Sequence, residues 1–182
     1  PLAWKHLDSE DRFIRYAARL ALEHQPLKSW HSNYTKEKNA RKIIEASIAM
    51  NHQGGSEFQN TILKKLQKIT IGDLTTALQI DLLRAYTLNF IRMGQPNLEE
   101  RTAILKKLNP FFPNDNNSVS KELAQILLYL NAEGIVEKLL QQLEYHTEER
   151  TVTAGVEMLS KEASLRSEQY GPLIRDIIEK MP

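Results

Sequence analysis

Cysteine is missing from this chain of 182 residues. Its absence excludes a disulfide framework, thiolate zinc sites, a cysteine nucleophile and the Cys-x-x-Cys-His pattern of covalently attached haem. It leaves the compartment open, because disulfide-free domains occur in the cytosol and the periplasm alike. Long apolar runs are lacking too. None reaches the roughly 18 residues of a spanning helix, so this segment is not expected to insert into a membrane. An excess of either charge is also absent, with 24 Lys and Arg against 23 Asp and Glu, a net of +1. Phosphate neutralisation needs a sustained surplus of Lys and Arg on one face, which argues against a nucleic-acid surface as the main purpose. No stretch alternates with period two, so strands are not expected. The chain begins at Pro1 with neither methionine nor a basic-then-apolar leader. That reads as a piece of a longer protein, and 1–182 as one domain.

Apolar residues recur at three- and four-residue spacings almost throughout, which predicts an all-helical chain. The first helix is expected from about Ser9 to His24, capped by Asp8 or Ser9 and closed by Pro26. Further segments follow at about Leu27–Tyr34, Lys36–His52, Ser56–Ile69 and Leu74–Met93, with Gly54, Gly55, Gly72, Gly94 and Pro96 as punctuation. Asn97 opens another that stops before Pro110, and Ser118 or Ser120 starts one to Asn131. Segments ending near His146, at about Thr147–Lys161 and at Leu165–Met181 complete ten, which read as five pairs.

One phrase is repeated. "ILKKLQK" at 62–68 returns as "ILKKLNP" at 104–110 and, more loosely, as "LLQQLEY" at 139–145. The steps are 42 residues (62 to 104) and 35 residues (104 to 139), within the roughly 34–47 of a repeat built from one helical hairpin. In each copy an apolar stripe (Ile62, Leu63, Leu66; Ile104, Leu105, Leu108; Val136, Leu139, Leu140, Leu143) opposes polar positions. Those polar positions are Lys64, Lys65 and Lys68, then Lys106 and Lys107, then Gln141 and Gln142. The intervening helices are apolar over a wider arc, as in Leu74–Met93 and around Leu123–Leu130, and need cover on several sides. Alternating broad and narrow helices predict a right-handed alpha-alpha superhelix of HEAT or armadillo type, with about five hairpins.

Two stretches carry a resemblance. "DRFIRYAARLALEHQP" (11–26) and "FPNDNNSVSKELAQILLYLNAEGIVEKLLQQLE" (112–144) resemble HEAT-like repeats of large multidomain bacterial c-type-cytochrome proteins, the membrane-bound dehydrogenase-like or haem-binding kind. The second stretch keeps Phe112, Pro113, Glu122, Leu123, Leu127, Leu128, Val136 and Lys138, and departs at Ser120 and Lys121, where the family has Asn and Arg. In that family the redox centre would sit on another segment, so the resemblance implies a spacer or docking module without a cofactor of its own. It would place the parent protein in the periplasm or at a membrane.

Candidate sites are few. The five histidines form no His-Glu-x-x-His pattern, and no metal-ligand spacing surrounds them. Glu99 with Glu100 and Glu148 with Glu149 fall in first helical turns, where carboxylates favour unpaired amides. Asp81, inside an apolar helix, calls for a partner: Arg84 at i+3 is close enough, and an ion pair between repeats is the structural reading. Gly54-Gly55 lacks phosphate-loop spacing and reads as an inter-helix turn. Asn33-Tyr34-Thr35 and Asn116-Asn117-Ser118 match the glycosylation pattern by chance as readily as by purpose. Trp30, His31 and Tyr34 sit in an irregular segment where burial and ligand stacking are the alternatives.

The expected function is therefore a non-catalytic scaffold that binds protein, either neighbouring domains of its parent chain or another protein. The partner face would comprise Lys64, Lys65, Lys68, Lys106, Lys107, Gln141 and Gln142, with Trp30 as an aromatic anchor. The alternative is a DNA-processing helical-repeat enzyme gripping a backbone in its groove, which salt-dependent DNA binding would reveal.

Overall fold

A computed structural model describes residues 2–145, with side chains to 142. Helices α1 (Arg12–Glu23), α2 (His31–Lys36), α3 (Ala40–Gln53), α4 (Gln59–Gln67), α5 (Thr76–Met93), α6 (Leu98–Leu108), α7 (Asn117–Tyr129) and α8 (Ile135–Tyr145) are joined by short connections, four of which contain a 3-10 turn. There is no strand among the described residues. The segments expected at 147–161 and 165–181, and with them the fifth hairpin, lie outside these residues.

Most helix starts are fixed by a short polar side chain. Asp11 Oδ1 accepts the N–H groups of Phe13 and Ile14 at 2.7 and 3.3 Å, so α1 begins after Asp11 and not at Ser9. Ser9 Oγ instead accepts the Asp11 N–H. Asn39, Thr75, Asn97 and Asn116 cap α3, α5, α6 and α7 in the same way. The α3 start moves from Lys36 to Ala40 because the Glu37 carboxylate takes the amides of Lys38 and Asn39 and makes a turn there. Burial alone would push the Glu37 carboxyl up. Those two amides, with the Trp4 indole and Lys42, outweigh it and hold it below the usual range. At the far end of α5, Gly94 adopts φ +80° while its N–H closes on the Phe90 carbonyl, a conformation that disfavours any residue with a Cβ.

The odd-numbered helices form a row in which α1 packs on α3, α3 on α5 and α5 on α7. Helix α4 lies against α3 and α5 and also touches α6, while α7 contacts α6 and α8. The apolar stripe read from the sequence is the seam: Ile62, Leu63 and Leu66 of α4 and Ile104 and Leu108 of α6 are all fully buried. Each such side chain contributes about 1.5–3 kcal/mol of burial free energy. Helix α3 is buried on several sides, and Ala46, Ser47 and Ala49 keep its neighbours close. Polar arms cross the same joints. Arg19 reaches Glu45 at 2.9 Å, Asn51 reaches the Ala85 carbonyl at 3.2 Å, and Arg84 reaches Glu122 at 3.1 Å. No helix among the described residues is long and apolar enough to cross a membrane.

Candidate functional site

The doubled lysines of the repeated phrase do two different things. The first of each pair, Lys64 and Lys106, is exposed, as is Lys68 at the C-terminal end of α4. The second of each pair turns along the protein. Lys65 Nζ donates to the Thr35 carbonyl at 2.7 Å and lies 5.9 Å from the Tyr34 ring centroid. Lys107 Nζ donates to the carbonyls of Leu66 and Gln67 at 2.9 and 3.1 Å and lies 5.9 Å from the Tyr86 ring centroid. Each amine thus reaches back to the end of an earlier helix, where unpaired carbonyls attract a cation. Burial lowers the Lys65 amine, with repulsion from Lys68 adding to it, and burial pushes Lys107 down to about 8. Both side chains are half-buried, so they are joints first and surface second.

In the third copy Gln141 is exposed and Gln142 half-buried. Trp30 is fully buried, its ring 6.2 Å from that of Trp4, which removes it from any partner-facing set. Burial, the structural alternative for this aromatic, is what its surroundings display. Tyr34 is equally interior, its hydroxyl 2.8 Å from Ser47 Oγ, and burial raises its phenol.

The two carboxylates at the start of α6 separate. Glu99 is exposed, whereas Glu100 is buried and held by Gln67 Nε2 at 2.6 Å, with Lys64 Nζ 3.8 Å away. Lys64 is therefore tethered at one point while most of its side chain stays in solvent. Glu148 and Glu149 lie outside the described residues.

A cluster that the sequence reading passed over sits on α1. Phe13, Ile14 and Tyr16 are 69, 47 and 53 % exposed, an unusual run of large apolar side chains on one helical turn. Arg12 stacks over Phe13 at 4.8 Å and Arg19 over Tyr16 at 5.2 Å. These side chains edge an open cavity of about 430 Å³ that also takes in Arg15, Glu45 and Asp81. Burial raises the Glu45 carboxyl, against the pull of Arg19, and the neighbouring Asp81 adds to the rise while Arg15 opposes it. Asp81 consequently faces a carboxylate, not the Arg84 expected at i+3; Arg84 spans to Glu122 on α7 instead. The signal for this patch was present, since Phe13 and Tyr16 fall off the Ala18–Leu22 stripe that α1 buries.

The remaining motifs resolve into structure. His52 Nδ1 contacts Glu23 at 2.9 Å, and His31 packs near Phe58. His146 lies outside the described residues. No three of His, Asp and Glu converge to hold a metal ion among the described residues. The Gly54 N–H closes α3 on the Met50 carbonyl, and Gly55 leads into a three-residue 3-10 turn, so the glycine pair is a helix junction. No protein-family model, curated protein or solved structure matches the chain.

Proposed function

We propose that the chain is a HEAT-like helical-repeat scaffold, a right-handed superhelical stack of hairpins that docks a protein partner on the outward side of α4 and α6. The observation that supports the reading is the in-register joint. The same side chain of the same phrase, Lys65 and then Lys107, 42 residues later (65 to 107), reaches back to a preceding helix end while the residue before it stays in solvent. Repetition of both the buried seam and the polar arm is what a stack growing by nearest-neighbour contacts requires. Lys64, Lys68 and Lys106, with Gln141 further along, are the proposed contact residues, and no cofactor is needed for such a role. On the resemblance to the multidomain cytochrome proteins, the partner is a neighbouring domain of a longer bacterial protein.

Site-specific photo-crosslinkers at positions 64 and 106, in cells expressing the natural full-length protein, test this directly. The expected result is that both positions trap the same polypeptide or the same neighbouring domain, and that position 121, exposed on α7, does not. Trapping at 64 and 106 no stronger than at 121 overturns the proposed face. A small-angle scattering profile of the isolated chain tests the stack itself, which requires a particle longer than a compact sphere of equal mass.

A further inference from the structure

Helix α1 has two apolar faces, and the chain itself uses one of them. Ala18 and Leu22 are buried towards the row, where Arg15 and Arg19 bridge to Glu45 on α3. Phe13, Tyr16, Ala17 and Leu20 recur at the i, i+3, i+4, i+7 spacing of a second stripe, with Ile14 and Ala21 along its edge. Leu20 is half-buried and the other five are exposed. Large apolar side chains gathered in this way mark a contact surface. The two ends of the helix say what covers it. Arg12 lies over the Phe13 ring and forms no ion pair among the described residues. Glu23, the last residue of α1, is about three turns further on, on the same flank and about 16 Å along the helix. Its Oε1 takes both Arg19 and His52, at 3.6 and 2.9 Å, while its Oε2 has no partner among the described residues. A free cation at one end of a flank and a free carboxylate oxygen at the other are complementary to the same helix running the opposite way.

We propose that this face of α1 pairs with its counterpart on a second copy of the chain, in a weak homodimer of antiparallel α1 helices related by a two-fold axis at Ala17. Such an axis lays each flank on its own equivalent with the direction reversed. Arg12 then meets Glu23 Oε2 of the second copy, and the same ion pair forms again by symmetry. Phe13 lies beside Leu20 of the second copy and Ile14 beside its small Ala21, while Ala17 at the centre lets the two helices approach closely. A parallel pairing sets the Arg12 flank against Ile14 and Ala21 and leaves both charges unmatched. The exposed parts of Phe13, Ile14 and Tyr16 come to about 300 Å² per copy. With the flanking side chains the pair reaches the low end of specific interfaces, about 1,000–1,200 Å² over both copies. The dimer is accordingly weak and concentration-dependent. This inference stands on α1 and does not depend on the partner face of α4 and α6.

Sedimentation velocity of the whole chain, from about 5 to about 500 µM, reads the equilibrium. The expected result is monomer at the low end and dimer at the high end, with a Kd on the order of 10–100 µM. Phe13→Asp changes a side chain that the monomer leaves in solvent, so it should raise that Kd about tenfold or more with an unchanged helical spectrum. Arg12→Glu should weaken the dimer as well, because it sets carboxylate against carboxylate at both ends. Register is tested by single cysteines, which are unique in a chain that has none. Position 17 lies on the axis, whereas position 21 lies about 12 Å along the helix from its own equivalent, beyond the reach of a disulfide. Under mild oxidation Ala17→Cys should therefore link to itself about tenfold faster than Ala21→Cys or Lys121→Cys on α7. A monomer over the whole concentration range, a dimer indifferent to Phe13→Asp, or equal linking at 17 and 21 overturns the proposal.

Discussion

Asn51 and Asn89 are fully buried and bridge α3 to α5 in the middle of the odd-numbered row. Asn51 Nδ2 donates to the Ala85 carbonyl at 3.2 Å, and Asn89 Nδ2 donates to Asn51 Oδ1 at 2.8 Å and to Met93 Sδ at 3.4 Å. Replacing Asn89 by alanine strands Asn51 Oδ1 in an apolar joint, and an unsatisfied buried acceptor costs about 1–3 kcal/mol. Replacing Asn51 by alanine leaves the Asn89 amide only the weak Met93 sulfur as acceptor, a smaller cost to which the small void adds. In the double variant no amide is left without its mate, so the penalties do not sum. The double should be less destabilised than the total of the singles by about 1–2 kcal/mol. Urea denaturation followed by far-UV circular dichroism on the wild type and the three variants measures this coupling, provided the slope of the transition is shared. Strict additivity within about 0.3 kcal/mol refutes the bridge as an energetic link between α3 and α5.

The other perturbations address the neighbouring joints. Lys107→Met removes an amine whose folded-state pKa is depressed to about 8 from an ordinary 10.5. The unfolded chain binds that proton more tightly, so wild-type stability gains from this group as pH rises through the window, and the variant should lack that gain in urea midpoints taken at pH 7.5 and 10. Glu45→Gln works with the opposite sign. Its raised carboxyl makes the folded state the better proton binder, so the stability difference, wild type minus variant, should fall as pH rises from the ordinary 4.5 towards neutrality. A difference that grows over that range refutes the burial reading of Glu45. Leu63→Ala empties a fully buried position in the α4 seam and should cost about 2–5 kcal/mol, seen as a lowered urea midpoint with unchanged helical content beforehand.

What was legible in the sequence was whatever periodicity controls. The stripe Ile62, Leu63, Leu66 repeats in Ile104, Leu105 and Leu108, and all are buried except Leu105, which is half-buried. Asn97 was read correctly as the opening of α6, because no competing cap lies beside it. The start of α1 was misplaced because Asp8, Ser9 and Asp11 can all cap, and only backbone geometry decides which oxygen meets the free amides. Lys64 and Lys65 looked alike because a helical wheel turns both away from the stripe. A lysine stem is long enough to lie on apolar surface and deliver its amine to another helix, and the wheel carries no record of that helix. The Asn51–Asn89 bridge and the Glu45 cluster were invisible for the same reason: each depends on which residues 26 to 38 positions apart meet across a joint.

That division of the lysines bears on the choice of partner. Read from the sequence, the repeated phrase offers five lysines, Lys64, Lys65, Lys68, Lys106 and Lys107. Two of them, Lys65 and Lys107, spend their amines on carbonyls inside the chain, and Lys64 leans on Glu100. The outward charge is correspondingly thin, and counterion release from a polyphosphate scales with the number of cations that reach it. A face with two or three free amines between exposed polar positions gives little affinity for a nucleic-acid backbone. For the protein partner proposed above, such a face would select by charge and set the register, with affinity supplied by apolar contacts.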